Sequence, residues 1–330
     1  MARLRIAVFA FTLALLAAAL SSDAQPNQQS TSSVAQPAQP ITIDIQEWKV
    51  PFEKSRPRDP YVDAEGRVWF VGQTGHYAAY LDPASGDRAS WDSPEQVGFV
   101  LPARSGGFVA GLQSGLDRFD QDRGSFDLLV EVEPDLPSNR LNDGVVDPAG
   151  RLWFGTMDNK ERGKTGAFYR FDERGLAKTN VTGVAITNGP AVSPDGQLLY
   201  WVDTLGGTIS VCDISADGSL GPSRPFVAIS PQDGYPDGPT IDRDGCVWIS
   251  LYAGWEARRY SPAGDLVESL AFPVANITKI AFGGPELSTG FATTARQLLK
   301  PEELERQPLA GGLFEFMSEV PGIPCPLIAV

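Results

Sequence analysis

One histidine stands in the 330 residues, and acidic residues outnumber basic ones by 41 to 27, for a formal net charge of -14. A single imidazole excludes a three-histidine zinc centre and a His-Glu-x-x-His helix, and leaves little room for a Ser-His-Asp triad. The shortage of positive charge argues against a nucleic-acid partner, because phosphate binding needs basic surface that releases counterions. Cysteine is scarce as well. Cys212, Cys246 and Cys325 are scattered without a Cys-x-x-Cys, which excludes a thioredoxin-like or structural zinc site. One disulfide with a leftover thiol, or three buried small hydrophobes, both remain open. No apolar run after residue 20 approaches a membrane span. Catalysis in such a chain must rest on carboxylates, amides or a bound metal ion.

What is present is globular in character. Hydrophobic residues make up 42% and charged residues 21%, so wholesale disorder is excluded, and 34 Gly with 27 Pro point to a fold full of turns. The N-terminal segment reads as an address. Arg3 and Arg5 precede an uncharged apolar run from Ile6 to Leu20, and Ser22-Asp23-Ala24 offers small residues for a signal peptidase. We expect a signal peptide over 1–24, a disordered linker rich in Gln, Ser, Pro and Ala over 25–40, and a folded domain over 41–330. The expected location is secreted or periplasmic, with no membrane attachment after cleavage.

Two interleaved repeats set the fold. The first is a turn followed by a short strand ending in aromatics: Asp63-Ala-Glu-Gly66-Arg-Val-Trp69-Phe70, Asp147-Pro-Ala-Gly150-Arg-Leu-Trp153-Phe154, Ser193-Pro-Asp-Gly196-Gln-Leu-Leu-Tyr200-Trp201 and Asp242-Arg-Asp-Gly245-Cys-Val-Trp248-Ile249. Its glycines are 84, 46 and 49 residues apart, and a weaker copy at Ala103–Gly107 fills the double gap. Ala281–Ser288 makes a sixth copy. The second repeat, out of phase, includes Tyr80–Gly86, Arg118–Gly124, Tyr169–Gly175 and Val211–Gly218. Two hairpins per period of about 40–50 residues predict an all-β, six-bladed β-propeller. A closed ring must cover its sheet edges. Ile41–Trp48 alternates like a strand that would complete the last blade, and Pro326–Val330 is a second candidate for that role. Lys300–Arg306 is the one helix candidate.

Counting back from the marker glycines locates a site. Asn142, Asn188 and Asp237 each lie eight residues before Gly150, Gly196 and Gly245, where the innermost strand of each blade begins. Blade symmetry then gathers them at the axis. Oxygen donors of this kind suit a hard divalent cation, Ca²⁺ first, with Mg²⁺, Mn²⁺ or Zn²⁺ as alternatives. Such an ion would polarise a carbonyl or activate water, with Asp237 as general base.

These residues resemble the gluconolactonase/regucalcin (senescence marker protein) family over about residues 90–325. The resemblance is carried by Asn139–Asp158, Ile186-Thr-Asn-Gly189, Tyr235-Pro-Asp-Gly238, Ala281-Phe-Gly-Gly284 and Gln307–Gly312. It implies a six-bladed propeller and a metal-dependent hydrolase of a lactone or related ester. It further implies metal ligation by Asn188 and Asp237, Asn142 as a further ligand or substrate contact, and Arg140 as a substrate contact. One position departs. Where the family places a Glu in the first blade, the count from Gly66 lands on Arg58, a permanent cation that would repel a divalent ion and pair with Asp237. Neighbouring Asp59 is expected to point elsewhere if the strand register holds, and Glu53 would reach the site only by a loop rearrangement. The first blade, Arg58–Gln73, is more similar to streptogramin (virginiamycin B) lyases.

Three functions are therefore in view: the lactone hydrolase, a catalytically inactive propeller binding an anionic small molecule through Arg58 and Arg140, and a lactone-directed lyase. A small molecule is the expected partner in each. His76 reads more readily as a surface residue than as a catalyst. Trp69, Trp153, Trp201 and Trp248 are expected between blades, and Trp255 at the site's mouth. Asn180-Val-Thr and Asn276-Ile-Thr match the glycosylation triplet.

Overall fold

The structure, a computed structural model, describes residues 46–51 and 55–330. The expected signal peptide, the linker and Glu53 lie outside the described residues.

Six four-stranded antiparallel sheets form the six expected blades, each with consecutive strands side by side. The innermost strands are Pro57–Val62, Val97–Pro102, Asn139–Val146, Thr187–Val192, Tyr235–Ile241 and Ile277–Gly283. The sixth sheet takes its outermost strand from the other end of the chain. Gln46–Trp48 pairs antiparallel with Leu313–Met317, and Trp48 Nε1 donates to Glu315 at 3.0 Å. The ring is thus closed by the segment expected to close it. The C-terminal segment does something else: Ile328 bridges Ala103, and Ala329 N donates to Gly150 O, so it binds the turns of blades 2 and 3. A single short helix, Pro301–Arg306, occurs among the described residues.

The repeated turn has a physical reason. In blade 1, Asp63 accepts the N–H groups of Glu65 and Arg67, the Arg67 guanidinium at 2.7 Å and Trp69 Nε1 at 2.8 Å. Asp147 repeats all four contacts, with Trp153 Nε1 at 2.8 Å. Asp242 does so with Trp248, but its guanidinium comes from Arg259 on the neighbouring strand because Cys246 replaces the arginine. One carboxylate thereby satisfies the turn's backbone and orients an aromatic into the gap between blades. Trp69 and Phe108 of the next blade are 4.4 Å apart by ring centroid, and Trp248 meets Phe282 of the next blade edge-on at 6.1 Å. Trp201 also lies between blades, half-buried against Phe168 of blade 3, but it is not in the position of the other three, which Leu199 holds. All three cysteines are free thiols.

Candidate functional site

Every innermost strand carries a β-bulge at the same height. Arg58 pairs with Val71 but Tyr61 with Trp69; Leu141 with Thr156 but Gly144 with Phe154; Asn188 with Val202 but Ala191 with Tyr200; Pro236 with Leu251 but Pro239 with Ile249. An extra residue breaks the alternation of faces, so adjacent side chains both turn towards the axis. The register does slip at Asp59, which sits inside the bulge with φ of 49°, is buried, and ion-pairs with Lys279; as expected it points away from the cavity with Asp237, and it lines the one on the opposite side. Blade 2 contributes a glycine instead of a polar side chain. A Cβ on Gly98 would lie 2.2 Å from the Asn142 carbonyl oxygen, so the close approach of these strands requires glycine.

Arg58, Asn142, Asn188 and Asp237 are brought together as expected, all buried, and they line a cavity of about 480 Å³ with Arg140. Asn142 Nδ2 donates to Asn188 Oδ1 at 2.8 Å and to Thr187 O at 2.6 Å. Asn142 Oδ1 accepts from Arg140 Nη1 at 2.6 Å. Asn188 Nδ2 is held by Thr204 at 2.7 Å. Arg58 Nη2 donates to Asn188 Oδ1 at 3.2 Å and to Asp143 at 2.7 Å, and Nη1 donates to Gln73 at 3.2 Å. The Arg58 Nε is buried without a partner. Burial opposes the charge of Arg58, but Asp143, Asp237 and Asp59 outweigh it and hold the guanidinium protonated.

Asp237 is the exception among these groups. Its Oδ1 is buried and makes no hydrogen bond. Burial pushes the carboxyl up to about 7, against the attraction of Arg58 and Arg56 and the N–H of Gly238, while Asp143 pushes it further up. The side chain expected to pair with Arg58 therefore faces it without an ion pair; Asp143 has that place.

Asp143, Lys279, Arg56 and Asn276 are the residues that counting missed. Asn276 does keep the offset, eight before Gly284, and its amide pins Ala253 N and the Gln297 carbonyl at the cavity wall. Being buried, it cannot carry a glycan, whereas Asn180 is exposed. Trp255 lines the cavity at 46% exposure, as expected. His76 is exposed and lines an adjoining groove of about 1010 Å³.

Residues 60–296 match the SMP-30/Gluconolactonase/LRE-like region. The chain belongs to this family. It is 33% identical over 283 residues to the 6-deoxy-6-sulfogluconolactonase of Pseudomonas putida, covering 82% of this chain and 97% of that protein. It is 36% identical over 259 residues to the L-arabinolactonase of Azospirillum brasilense, covering 77% and 82%. Among solved structures, the calcium-binding regucalcin from Agrobacterium tumefaciens superposes with a TM-score of 0.79 at 28% identity, over 83% of this chain and 94% of that one. Virginiamycin B lyase from Staphylococcus aureus shares the fold alone, at a TM-score of 0.56 and 14% identity over 83% and 99%, so the first-blade similarity to streptogramin lyases is distant.

A divalent cation, Ca²⁺ above all, is what the fold family implies, and the donors here do not fit it. Asn188 Oδ1 accepts from both Arg58 and Asn142, and Asn142 Oδ1 accepts from Arg140. Only the Asp237 carboxylate offers a free oxygen, and a guanidinium stands where a further anionic ligand is needed. Among the described residues no group of three or more His, Cys, Asp or Glu gathers to hold a metal ion.

Proposed function

We propose that this protein hydrolyses a lactone or related cyclic ester, with Asp237 as general base and Arg58 in the electrostatic role of the family's cation. The observation that carries this reading is the buried, unpartnered Asp237 Oδ1 facing the cavity beside a guanidinium. Two relatives named for lactone hydrolysis, covered over most of their length, support the reaction class.

In this reading a lactone carbonyl lies against Arg58, and water sits between its carbon and Asp237. Asp237 takes a proton from the water as its oxygen bonds to the carbonyl carbon. The charge that develops on the carbonyl oxygen is stabilised by the guanidinium in a site poor in water. When the ring C–O bond breaks, the same carboxyl returns the proton to the leaving oxygen, and an open hydroxy acid results. Asn142, held in place by Arg140, orients the ring oxygens. Purified protein offered a panel of sugar lactones is expected to open at least one of them. Asp237→Asn should lower kcat by about 10²–10⁴, the usual worth of a general base; turnover retained in that variant would remove Asp237 from the chemistry. We further propose export as the setting for this activity, on the strength of the leader-like N-terminus; N-terminal sequencing of the mature protein beginning near Gln25 would support it, and an intact Met1 would oppose it.

A further inference from the structure

The buried Arg58 and Arg259 meet Asp143 and Asp242, and the half-buried Arg151 meets Asp147, at 2.6–2.7 Å. The buried Arg140 and the half-buried Arg56 have no such acid. Arg140 is 2% exposed, yet its guanidinium meets only neutral oxygens: Asn159 Oδ1 at 3.1 Å, Leu141 O at 3.2 Å and Asn142 Oδ1 at 2.6 Å. Arg56 has a buried Nε with no acceptor. Neither forms an ion pair among the described residues. Both line the 480 Å³ cavity that holds Asp237 and also the 1010 Å³ groove beside it, so they stand where the two spaces join. Glu161 is the one acid lining both, and it pairs with neither arginine.

A charge removed from water without a partner is costly, and the cost is relieved when an opposite charge arrives. A chain of net charge -14 has no shortage of carboxylates to place there. Guanidinium groups also match planar or tetrahedral oxyanions by two-point hydrogen bonding, which ammonium groups do not. We propose that Arg56 and Arg140 form a subsite for a second anionic group, so that the substrate is a lactone bearing a carboxylate or phosphate away from its reacting carbonyl. This rests on the lactonase reading of the same cavity, and names the substrate class within it. Arg58, already neutralised by Asp143, is left for the carbonyl oxygen, and the unmatched pair for the substituent.

Matched probes test it. D-glucono-1,4-lactone and D-glucaro-1,4-lactone share a ring and differ in a terminal carboxylate, and 6-phospho-D-gluconolactone supplies the phosphate arm. The charged lactones are expected to show a kcat/KM about 10–100-fold above the neutral one, the worth of one or two charge-assisted hydrogen bonds, with the larger ratio telling which oxyanion the subsite takes. That ratio should collapse towards one in Arg56→Met, which keeps the aliphatic stem, and be partly restored in Arg56→Lys. Equal kcat/KM for neutral and charged lactones, or a ratio untouched by Arg56→Met, overturns the subsite while leaving hydrolysis standing. If no lactone is opened, calorimetry with D-glucarate and D-gluconate still decides the question: tighter binding of the dianion, lost in Arg56→Met, supports the subsite, and equal binding overturns it.

Discussion

Arg58 and Asp237 carry the account, and each makes a prediction that separates electrostatics from packing. Replacing Arg58 by Glu would put a fourth carboxylate beside Asp59, Asp143 and Asp237, with no guanidinium among them. Arg58→Glu is expected to gain Ca²⁺ binding by calorimetry and to melt at higher temperature with Ca²⁺ than without. No heat and no shift would mean that Arg58 does not occupy the cation's place. For Asp237 the folded pKa, about 7, lies above the ordinary carboxylate value near 3.9. The stabilising contribution is then complete below about pH 4 and is lost as pH rises through about 7, amounting to roughly 4 kcal/mol by pH 8. Asp237→Asn, which has no charge to bury, should lose less stability than the parent between pH 5 and pH 8 in urea unfolding. An identical pH dependence would show that the carboxylate is not desolvated. The positions of Arg58, Asn142, Asn188 and Asp237 were legible because one offset from one glycine repeats in four blades. Asp143, Lys279 and Arg56 were not, since each finds its place through a partner on another blade or through having none.

The turn and the bulge are the elements that make the site. The turn was legible: Asp-x-x-Gly-Arg-x-Trp is a local device whose atoms all lie within seven residues, so its contacts repeat wherever its letters do. Blade 4 tests its worth. Ser193 stands in the acid's place and keeps only a hydroxyl contact to Asp195 and one to Leu198 N. Asp147→Ala leaves a buried Trp153 N–H and the Arg151 guanidinium unpaired, and should cost about 3–5 kcal/mol in urea unfolding, against about 1 kcal/mol for Ser193→Ala. Equal costs would mean that the turn carboxylate does not anchor its blade. The bulge was not legible. One extra residue per innermost strand buries Asp143, beside Asn142, against Arg58, and leaves Asp59 on the opposite cavity with Lys279. Nothing in the alternation of those residues marks the slip; it becomes visible only once the neighbouring strand fixes the pairing.

At the scale of the molecule, six sheets hold the axis open from two sides and block it between. One side is the cavity with Asp237; the other, of about 490 Å³, is lined by Asp59, Lys279 and the segment Ile323–Pro326. The ion pairs Arg58–Asp143 and Asp59–Lys279 lie between them, a buried network in the part of the ring where the family's cation is expected. Burial opposes the Lys279 charge, but Asp59 and Asp143 outweigh it, and the ammonium stays protonated. In such a network the protein supplies its own axial cation, so turnover should be indifferent to chelation. The most direct measurement is therefore the pH–rate profile of lactone opening by wild-type protein after exhaustive chelation. The account predicts full activity without added metal, rising with an apparent pKa near 7 as Asp237 ionises. Activity lost to the chelator and restored by Ca²⁺ would contradict it.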